Sequence, residues 1–316
     1  MATKAGEGMS FPLRSNIRAL LIAGPTASGK SAVALKLARR FDGAIVNADS
    51  MQVYRDLRVL TARPSAQEEA QAPHSLFGTI DGAVNFSVGR WLEAAKGVLA
   101  QAQGPLFFVG GTGLYFRALT QGLSHIPNVP EEVRARIRAE AEGAPTPALH
   151  ARLAEVDPAT AARLRPSDRQ RLLRALEVIA ATGRPLLTYQ SSREPPPLKA
   201  GEWAGLFLAP ERAALNARIE ARFDGMLRAG ALDEVAALAR RGLDPALPVM
   251  RAHGAPHLIE HLAGRLSLEE ASALGVRDTR QYSKRQFTWA RHQMHDFVWV
   301  APDAAERAGA EALGFR

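Results

Sequence analysis

A chain of 316 residues, 47% hydrophobic and 23% charged, has enough apolar material for two domains or one core with a large insertion. Its net charge of +8, from 40 Lys plus Arg against 32 Asp plus Glu, points to an acidic partner, with a polyanion plausible. The absence of cysteine excludes disulfides, thiolate catalysis and Cys-ligated zinc, and no apolar run approaches the ~20 residues of a membrane span.

Residues 1–16 carry neither the apolar core nor the cleavage site of a signal peptide, so a soluble, cytoplasmic protein is expected. Ala19-Leu20-Leu21-Ile22-Ala23 reads as a buried strand. It runs into Gly24-Pro25-Thr26-Ala27-Ser28-Gly29-Lys30-Ser31, which fits the P-loop pattern and opens an amphipathic helix through Ala38. Ala44-Ile45-Val46-Asn47-Ala48 is a second strand ending at Asp49. A helix spans Val88 to Ala102. Leu106-Phe107-Phe108-Val109 is a third strand, followed by Gly110-Gly111-Thr112-Gly113 and a helix from Leu114 to Thr120. Strand and helix alternate here as in a parallel α/β sheet.

From Ile126 to Ser192 the strand signal fades. Pro130, Thr146-Pro147, Asp157-Pro158 and Pro166-Ser167-Asp168 each open a helix, and Gly183 stops the last. Glu194-Pro195-Pro196-Pro197 is a stiff connector, and Gly205-Leu206-Phe207-Leu208-Ala209 returns to strand. The stretch 210–295 is mostly helical, and Phe297-Val298-Trp299-Val300 is a last strand. The expectation is an α/β, P-loop NTPase-like parallel sheet core over 1–121 and 201–316, interrupted by a helical insertion domain over 122–200.

The P-loop supplies the first chemistry. Its glycines let backbone N–H groups turn around phosphate oxygens, the helix N-terminus adds partial positive charge, Lys30 adds a point charge, and Ser31 can hold Mg²⁺. The loop alone fits nucleotide-binding and ATP-binding proteins as well as diphosphate binders. Asp49 stands at the carboxyl end of a strand, where open α/β sheets place ligands; it reads as a Mg²⁺ ligand, a general base or a helix N-cap. Gly110-Gly111-Thr112-Gly113 allows close approach of a ligand, or is a plain tight turn. At about 100° per residue, Arg277, Arg280, Lys284 and Arg291 share one helical face, with Tyr282 and Trp289 well round from it. That is a phosphate-backbone stripe with aromatic packing behind, or a solvated basic helix. Arg169, Arg171 and Arg174 are a second, weaker basic cluster. His253, His257 and His261 recur at helical spacing, but Pro256 interrupts them and no carboxylate pattern accompanies them, so a zinc site is not expected.

Together these segments resemble the bacterial tRNA dimethylallyltransferases (tRNA isopentenyltransferases). The resemblance rests on the P-loop, Asp49-Ser50-Met51-Gln52-Val53-Tyr54, Thr61-Ala62-Arg63-Pro64, Ala72-Pro73-His74 and Gly110-Gly111-Thr112-Gly113-Leu114-Tyr115. It continues through Arg171-Leu172-Leu173-Arg174-Ala175-Leu176-Glu177, Arg218-Ile219-Glu220-Ala221-Arg222-Phe223 and Thr279-Arg280-Gln281-Tyr282-Ser283-Lys284-Arg285-Gln286, in family order. It implies transfer of a dimethylallyl group from dimethylallyl diphosphate to N6 of the adenosine just 3′ of the tRNA anticodon.

By the same likeness, Asp49 takes the N6 proton, Thr112 positions the amine, and Arg222 contacts the diphosphate. Gly24, Pro25, Thr26, Ala27, Ser28, Gly29, Lys30 and Ser31 hold that diphosphate, with Mg²⁺ at Ser31. The implied tRNA contacts are Asp49, Ser50, Met51, Gln52, Thr112, Arg134, Arg169, Gln170, Arg171, Leu172, Leu173, Arg251, Arg280, Lys284 and Arg285. The insertion is expected to meet the anticodon stem-loop, and the protein to be a monomer.

The chain departs from the family pattern in two places. Arg251-Ala252-His253-Gly254-Ala255-Pro256-His257 lacks the usual tyrosine and basic residue after its glycine. Leu60 and Arg63 stand where Gly and Lys are common. The competing readings are a small-molecule kinase, an adenylate isopentenyltransferase and a non-catalytic RNA-binding protein using the P-loop as a switch.

Overall fold

The structure is a computed structural model that describes residues 17–190 and 193–314. The first sixteen residues, expected to contain no signal peptide, lie outside the described residues. In chain order the elements begin with strand β1 (Ala19–Ala23), helix α1 (Lys30–Arg40), β2 (Ala44–Asn47), α2 (Ala66–Glu69), β3 (His74–Ser75), α3 (Val88–Gln101), β4 (Leu106–Gly110) and α4 (Gly113–Gln121). A helical stretch follows: α5 (Glu131–Glu140), α6 (Thr146–Val156), α7 (Pro158–Ala161), α8 (Arg169–Thr182) and α9 (Leu186–Gln190). The chain then makes β5 (Trp203–Leu208), α10 (Arg212–Arg228), α11 (Ala231–Arg240), a short 3-10 turn at Pro248–Arg251, α12 (Ala255–Leu262), α13 (Leu268–Gln293), β6 (Phe297–Val300) and α14 (Ala305–Ala312).

The six strands form one parallel sheet in the order β3-β2-β4-β1-β5-β6. β1 lies near the middle, paired with β4 from Ala19↔Leu106 and with β5 from Ala19↔Trp203. Every residue of β1 and β4 is buried, which is why both read as continuous apolar runs rather than alternating ones. The chain goes from β1 to one side of the sheet and later crosses to the other. Parallel sheets place ligand crevices where this reversal occurs, at the carboxyl ends of the strands. Helix α1 is held on the sheet by Val33, Ala34, Leu37 and Ala38, one apolar face at helical spacing. Burying a Val or Leu of this kind contributes about 1.5–3 kcal/mol.

Two compact units can be distinguished: Met1–Thr120 with Pro197–Arg316, and Gln121–Pro196. The first unit holds the sheet. It resumes earlier than residue 201, because Leu198 is fully buried and its N–H donates to the Leu119 carbonyl at 3.1 Å. The second unit is all helical among its described residues and has its own core, with Leu149, Leu153, Leu172, Ala175, Leu176 and Val178 packed together. Asp168 caps α8 by accepting from the Arg171 N–H. Gly183 ends that helix with φ 67°, a left-handed backbone that costs other residues about 1–2 kcal/mol.

The strand β3, only two residues long, and the helix α14 have no counterpart in the sequence expectations. β3 is too short to generate a period. Helix α14 is mostly alanine and glycine on its buried face, so apolar patterning is weak there.

Candidate active site

The loop after β1 carries two left-handed residues, Ala27 (φ 61°) and Gly29 (φ 90°), which curl it into a backbone nest of the kind that binds anions. Gly29 caps α1 without a side chain, and no acidic residue stands in the first turn. The first N–H groups of an eleven-residue helix therefore open toward the loop without side-chain caps. Ser28 is fully buried, and its Oγ has no hydrogen-bond partner among the described residues.

Charge agrees with geometry. Lys30 donates from Nζ to the Pro25 carbonyl at 3.2 Å. Burial lowers its pKa to about 8, with Asp49 opposing the shift and Arg222 adding to it. The Arg222 guanidinium on α10 is likewise pushed down by burial and supported by Asp49. Its Nη1 lies 3.5 Å from Thr26 Oγ1. Two half-buried cations thus share one carboxylate. An anionic ligand would relieve both desolvation and mutual repulsion.

Asp49 sits at the end of β2 because Asn47 holds it there. Asn47 is fully buried; its side chain accepts from the Asp49 N–H at 2.8 Å and donates to the Asp49 and Leu76 carbonyls at 2.9 and 3.1 Å. The buried Trp91 indole donates to the Asn47 carbonyl at 2.9 Å. The carboxylate itself accepts from the Met51 N–H through Oδ1 at 2.9 Å. Across the crevice, the Thr112 hydroxyl accepts from the Ser50 N–H at 2.9 Å, and the Thr112 N–H donates to the Ala48 carbonyl at 3.3 Å. The ends of β2 and β4 are therefore pinned together with Asp49 and Thr112 on the crevice side.

The glycines of Gly110-Gly111-Thr112-Gly113 are explained by this pinning. A Cβ on Gly110 would fall 2.0 Å from the Ala48 carbonyl oxygen, one on Gly111 2.1 Å from Gln286 Nε2, and one on Gly113 2.1 Å from the Trp289 ring. The close approach expected of this turn is made by the chain's own groups. Gln286 is central to it: its amide accepts from the Thr26 N–H at 3.1 Å and donates to the Gly111 carbonyl at 3.0 Å, tying the P-loop to the turn after β4.

A pocket of about 200 Å³ connects these pieces. Thr26, Ala27 and Arg222 line it from the P-loop side; Asp49, Ser50, Thr279, Tyr282 and His253 add polar groups; and Leu60, Ile219, Phe223 and Met226 supply an apolar wall. Tyr282 lies within hydrogen-bonding reach of Thr112 and Gln286, and burial beside Asp49 raises its phenol. The His253 ring packs on Tyr282 at 4.4 Å, and burial followed by nearby Arg285 lowers its pKa.

Several of these residues are absent from the sequence expectations. Thr279, Tyr282 and Gln286 recur at i, i+3 and i+7 on α13, an uncharged stripe inside a basic helix. That stripe was the available signal for an inward face. His253 lies within the segment that departs from the family pattern.

The structure brings Thr26, Lys30, Asp49, Ser50, Met51, Thr112, Arg222 and Arg251 to this region. Other expected contacts are occupied otherwise. Gln52 donates to the Thr61 and Ala62 carbonyls at 2.8 and 3.0 Å, bracing the loop that carries Leu60. Arg277 pairs with Asp278, and Arg280 donates to Glu220 at 2.7 Å. Lys284, Arg285 and Arg291 are exposed. Trp289 packs under Gly113, as aromatic packing behind the stripe requires.

In the helical unit, the Leu172 side chain is fully buried in the core and so presents no surface to RNA; Leu173 packs against the same cluster. Arg169 donates to the Ala144 and Ala141 carbonyls at 2.7 and 2.6 Å and is a structural clamp. Arg134, Arg138 and Arg174 surround the buried carboxylate of Glu177. Gln170 and Arg171 are exposed on α8, with Arg171 3.4 Å from Asp168.

No group of three His, Asp or Glu side chains suited to a metal occurs among the described residues. His257 hydrogen-bonds Asp278 at 2.8 Å and His261 meets the Leu266 carbonyl at 3.0 Å, so the three spaced histidines have separate partners. The donor set still fits Mg²⁺. That ion commonly takes only one or two protein oxygens and completes its shell with phosphate and water, and Ser31 offers an exposed hydroxyl on the first turn of α1.

No described helix is long and apolar enough to cross a membrane. The chain matches the family model described as IPP transferase over residues 52–293, and that described as isopentenyl transferase over 17–75. It is 65% identical over 291 residues to the tRNA dimethylallyltransferase of Methylocella silvestris, covering 91% of this chain and 96% of that one. Its identity to the enzyme of the same name from Rhodopseudomonas palustris strain BisB18 is 60% over 308 residues, covering 96% and 97%. The solved tRNA isopentenylpyrophosphate transferase of Bacillus halodurans is similar at TM-score 0.66 and 31% identity, covering 94% of this chain and 96% of that chain. A eukaryotic dimethylallyltransferase captured acting on tRNA is similar at TM-score 0.77 and 25% identity, covering 93% and 78%. With this sheet, this loop and these relatives, the chain belongs to the tRNA dimethylallyltransferase family.

Proposed function

We propose that the chain transfers a dimethylallyl group from dimethylallyl diphosphate to N6 of the adenosine adjacent, on the 3′ side, to the tRNA anticodon. The observation that carries this reading is one pocket lined by Thr26 and Arg222 from the P-loop side, by the fixed carboxylate of Asp49, and by an apolar wall of Leu60, Ile219, Phe223 and Met226, with the buried Lys30 close enough to feel both Asp49 and Arg222. The diphosphate sits in the nest, the five-carbon chain lies on the apolar face, and the adenine amine enters beside Asp49 and Thr112.

Carbon–nitrogen bond formation at the allylic carbon accompanies cleavage of its bond to the diphosphate oxygen. Positive charge on the carbon and negative charge on the leaving group develop together. Lys30, Arg222 and the N–H groups at the start of α1 meet the negative charge where it grows. Adenine N6 is a weak nucleophile, so its proton must leave as the bond forms. Asp49, oriented through Oδ1 by the Met51 N–H, takes it. Ser31 would hold Mg²⁺, which supplies further charge neutralisation to the diphosphate. The adenine must swing out of its loop to reach the pocket, and a single-stranded loop makes that inexpensive.

Arg251, Lys284 and Arg285 contribute phosphate contacts, and the unit Gln121–Pro196 engages the anticodon stem-loop through the exposed Gln170 and Arg171. A tRNA acceptor supports a cytoplasmic location.

The test is Asp49→Ala. Turnover is expected to fall by ~10²–10⁴, the range for loss of a general base, with tRNA affinity retained. Near-normal turnover would remove Asp49 from this role.

A further inference from the structure

We infer that Leu60 sets the length of the prenyl donor, closing the apolar end of the pocket so that a five-carbon chain fits and a ten-carbon chain does not. The inference rests on the reading of the pocket given above and deepens it.

Leu60 lines the pocket together with Ile219, Phe223 and Met226 and is 6% exposed. Behind it the wall has no slack. The Phe223 ring is wedged between two glycines: a Cβ on Gly254 would lie 2.8 Å from it and one on Gly275 2.5 Å from it. The same Cβ on Gly254 would lie 3.4 Å from Leu60 Cδ1. Gly254 thus lies against both the Phe223 ring and the Leu60 side chain, and Gly275 backs the same ring.

The backbone of Leu60 is equally fixed. The Glu234 carboxylate on α11 accepts from the Arg58 N–H at 2.6 Å, from the Val59 N–H at 2.8 Å and from the Leu60 N–H at 3.0 Å. Gln52 holds the next two carbonyls, those of Thr61 and Ala62. A loop backbone held by three N–H bonds to Glu234 and two carbonyl bonds to Gln52 does not carry Leu60 aside for a longer ligand.

The donor is anchored at its diphosphate end by the nest, so added carbons extend only toward the apolar wall. The step itself is unchanged with a longer allylic donor: N6–C1 forms, C1–O breaks, diphosphate departs and the proton goes to Asp49. Discrimination is therefore steric, and an apolar pocket discriminates by about 10–200-fold per misfit methylene.

The experiment compares kcat/KM for dimethylallyl and geranyl diphosphates with tRNA acceptor, in the wild type, Leu60→Ala and the volume-conserving Leu60→Met. Leu60→Ala is expected to raise the geranyl-to-dimethylallyl ratio at least tenfold, and Leu60→Met to leave it near the wild-type value. Leu60→Val, which removes a single carbon, should move the ratio the same way by less; it serves if Leu60→Ala melts too low to assay. A folded Leu60→Ala or Leu60→Val enzyme that transfers dimethylallyl groups with an unchanged ratio overturns the inference while leaving the proposed reaction standing. Absence of dimethylallyl transfer by the wild type defeats the reaction itself.

Discussion

Lys30 is the residue whose ionisation should be visible in kinetics. Its pKa of about 8 in the free protein lies well below the ordinary lysine value because burial disfavours its charge. The protonated form holds the diphosphate, so donor capture is complete below this pKa and is lost as pH rises through it. We expect kcat/KM for dimethylallyl diphosphate to fall above pH ~8, by up to tenfold per unit, following loss of one proton from the free enzyme. The kcat profile should show that limb at higher pH, because bound diphosphate favours the charged form. Lys30→Arg, which stays charged throughout, should abolish the limb in kcat/KM. A limb that persists in Lys30→Arg assigns the titration elsewhere. At this scale the sequence was informative where a motif places a residue at the crevice, as for Lys30, Asp49 and Thr112. It was silent on Gln286, whose amide joins two loops separated by 260 and 175 residues in sequence. Nothing local to Gln286 encodes those partners.

Among the elements, α13 repays attention because two of its faces have different work. Its uncharged stripe of Thr279, Tyr282 and Gln286 builds the pocket, and its basic side faces solvent. The basic side is not four free cations: Arg277 is spent on Asp278 and Arg280 on Glu220, both partly exposed pairs of the kind worth at most about 1 kcal/mol. Such pairs exchange readily for a phosphate. A charge-reversed Arg280/Lys284 double variant should therefore weaken tRNA binding and flatten the slope of log affinity against log salt by roughly 0.7–0.9 per lost contact. Turnover on saturating tRNA should be largely spared, since these contacts hold ground and transition states alike. Normal binding at all salt concentrations would make the stripe a solvated face. The helical character of this region was legible, but not the helix boundaries, such as the Ser267 capping box that opens α13. The aromatic packing behind the basic side was legible, but the pocket-facing stripe was not, because charge dominates the pattern and several of the buried residues are small or polar: Gly275, Ser283, Gln286 and Ala290.

For the whole molecule, the parallel sheet was legible because β1 and β4 are buried on both faces and carry unbroken apolar runs, while β3 was lost because two residues have no period. The return of the chain to the sheet-bearing unit was displaced to Pro197, since Leu198 is committed to Leu119 through backbone pairing that composition does not reveal. The excess positive charge is only partly a nucleic-acid surface. In the helical unit, arginines surround Glu177 and clamp the ends of helices, leaving Arg171 as the exposed basic group of the Arg169–Arg174 run. The proposed reaction uses the P-loop for a leaving group rather than for a nucleotide. The most direct measurement incubates the wild-type protein with radiolabelled dimethylallyl diphosphate, and separately with γ-labelled ATP, each with and without tRNA. The expected result is label entering tRNA from dimethylallyl diphosphate, with diphosphate released in equal amount and no tRNA-dependent turnover of ATP. Robust ATP hydrolysis or phosphoryl transfer, with no prenyl group reaching tRNA, would contradict it.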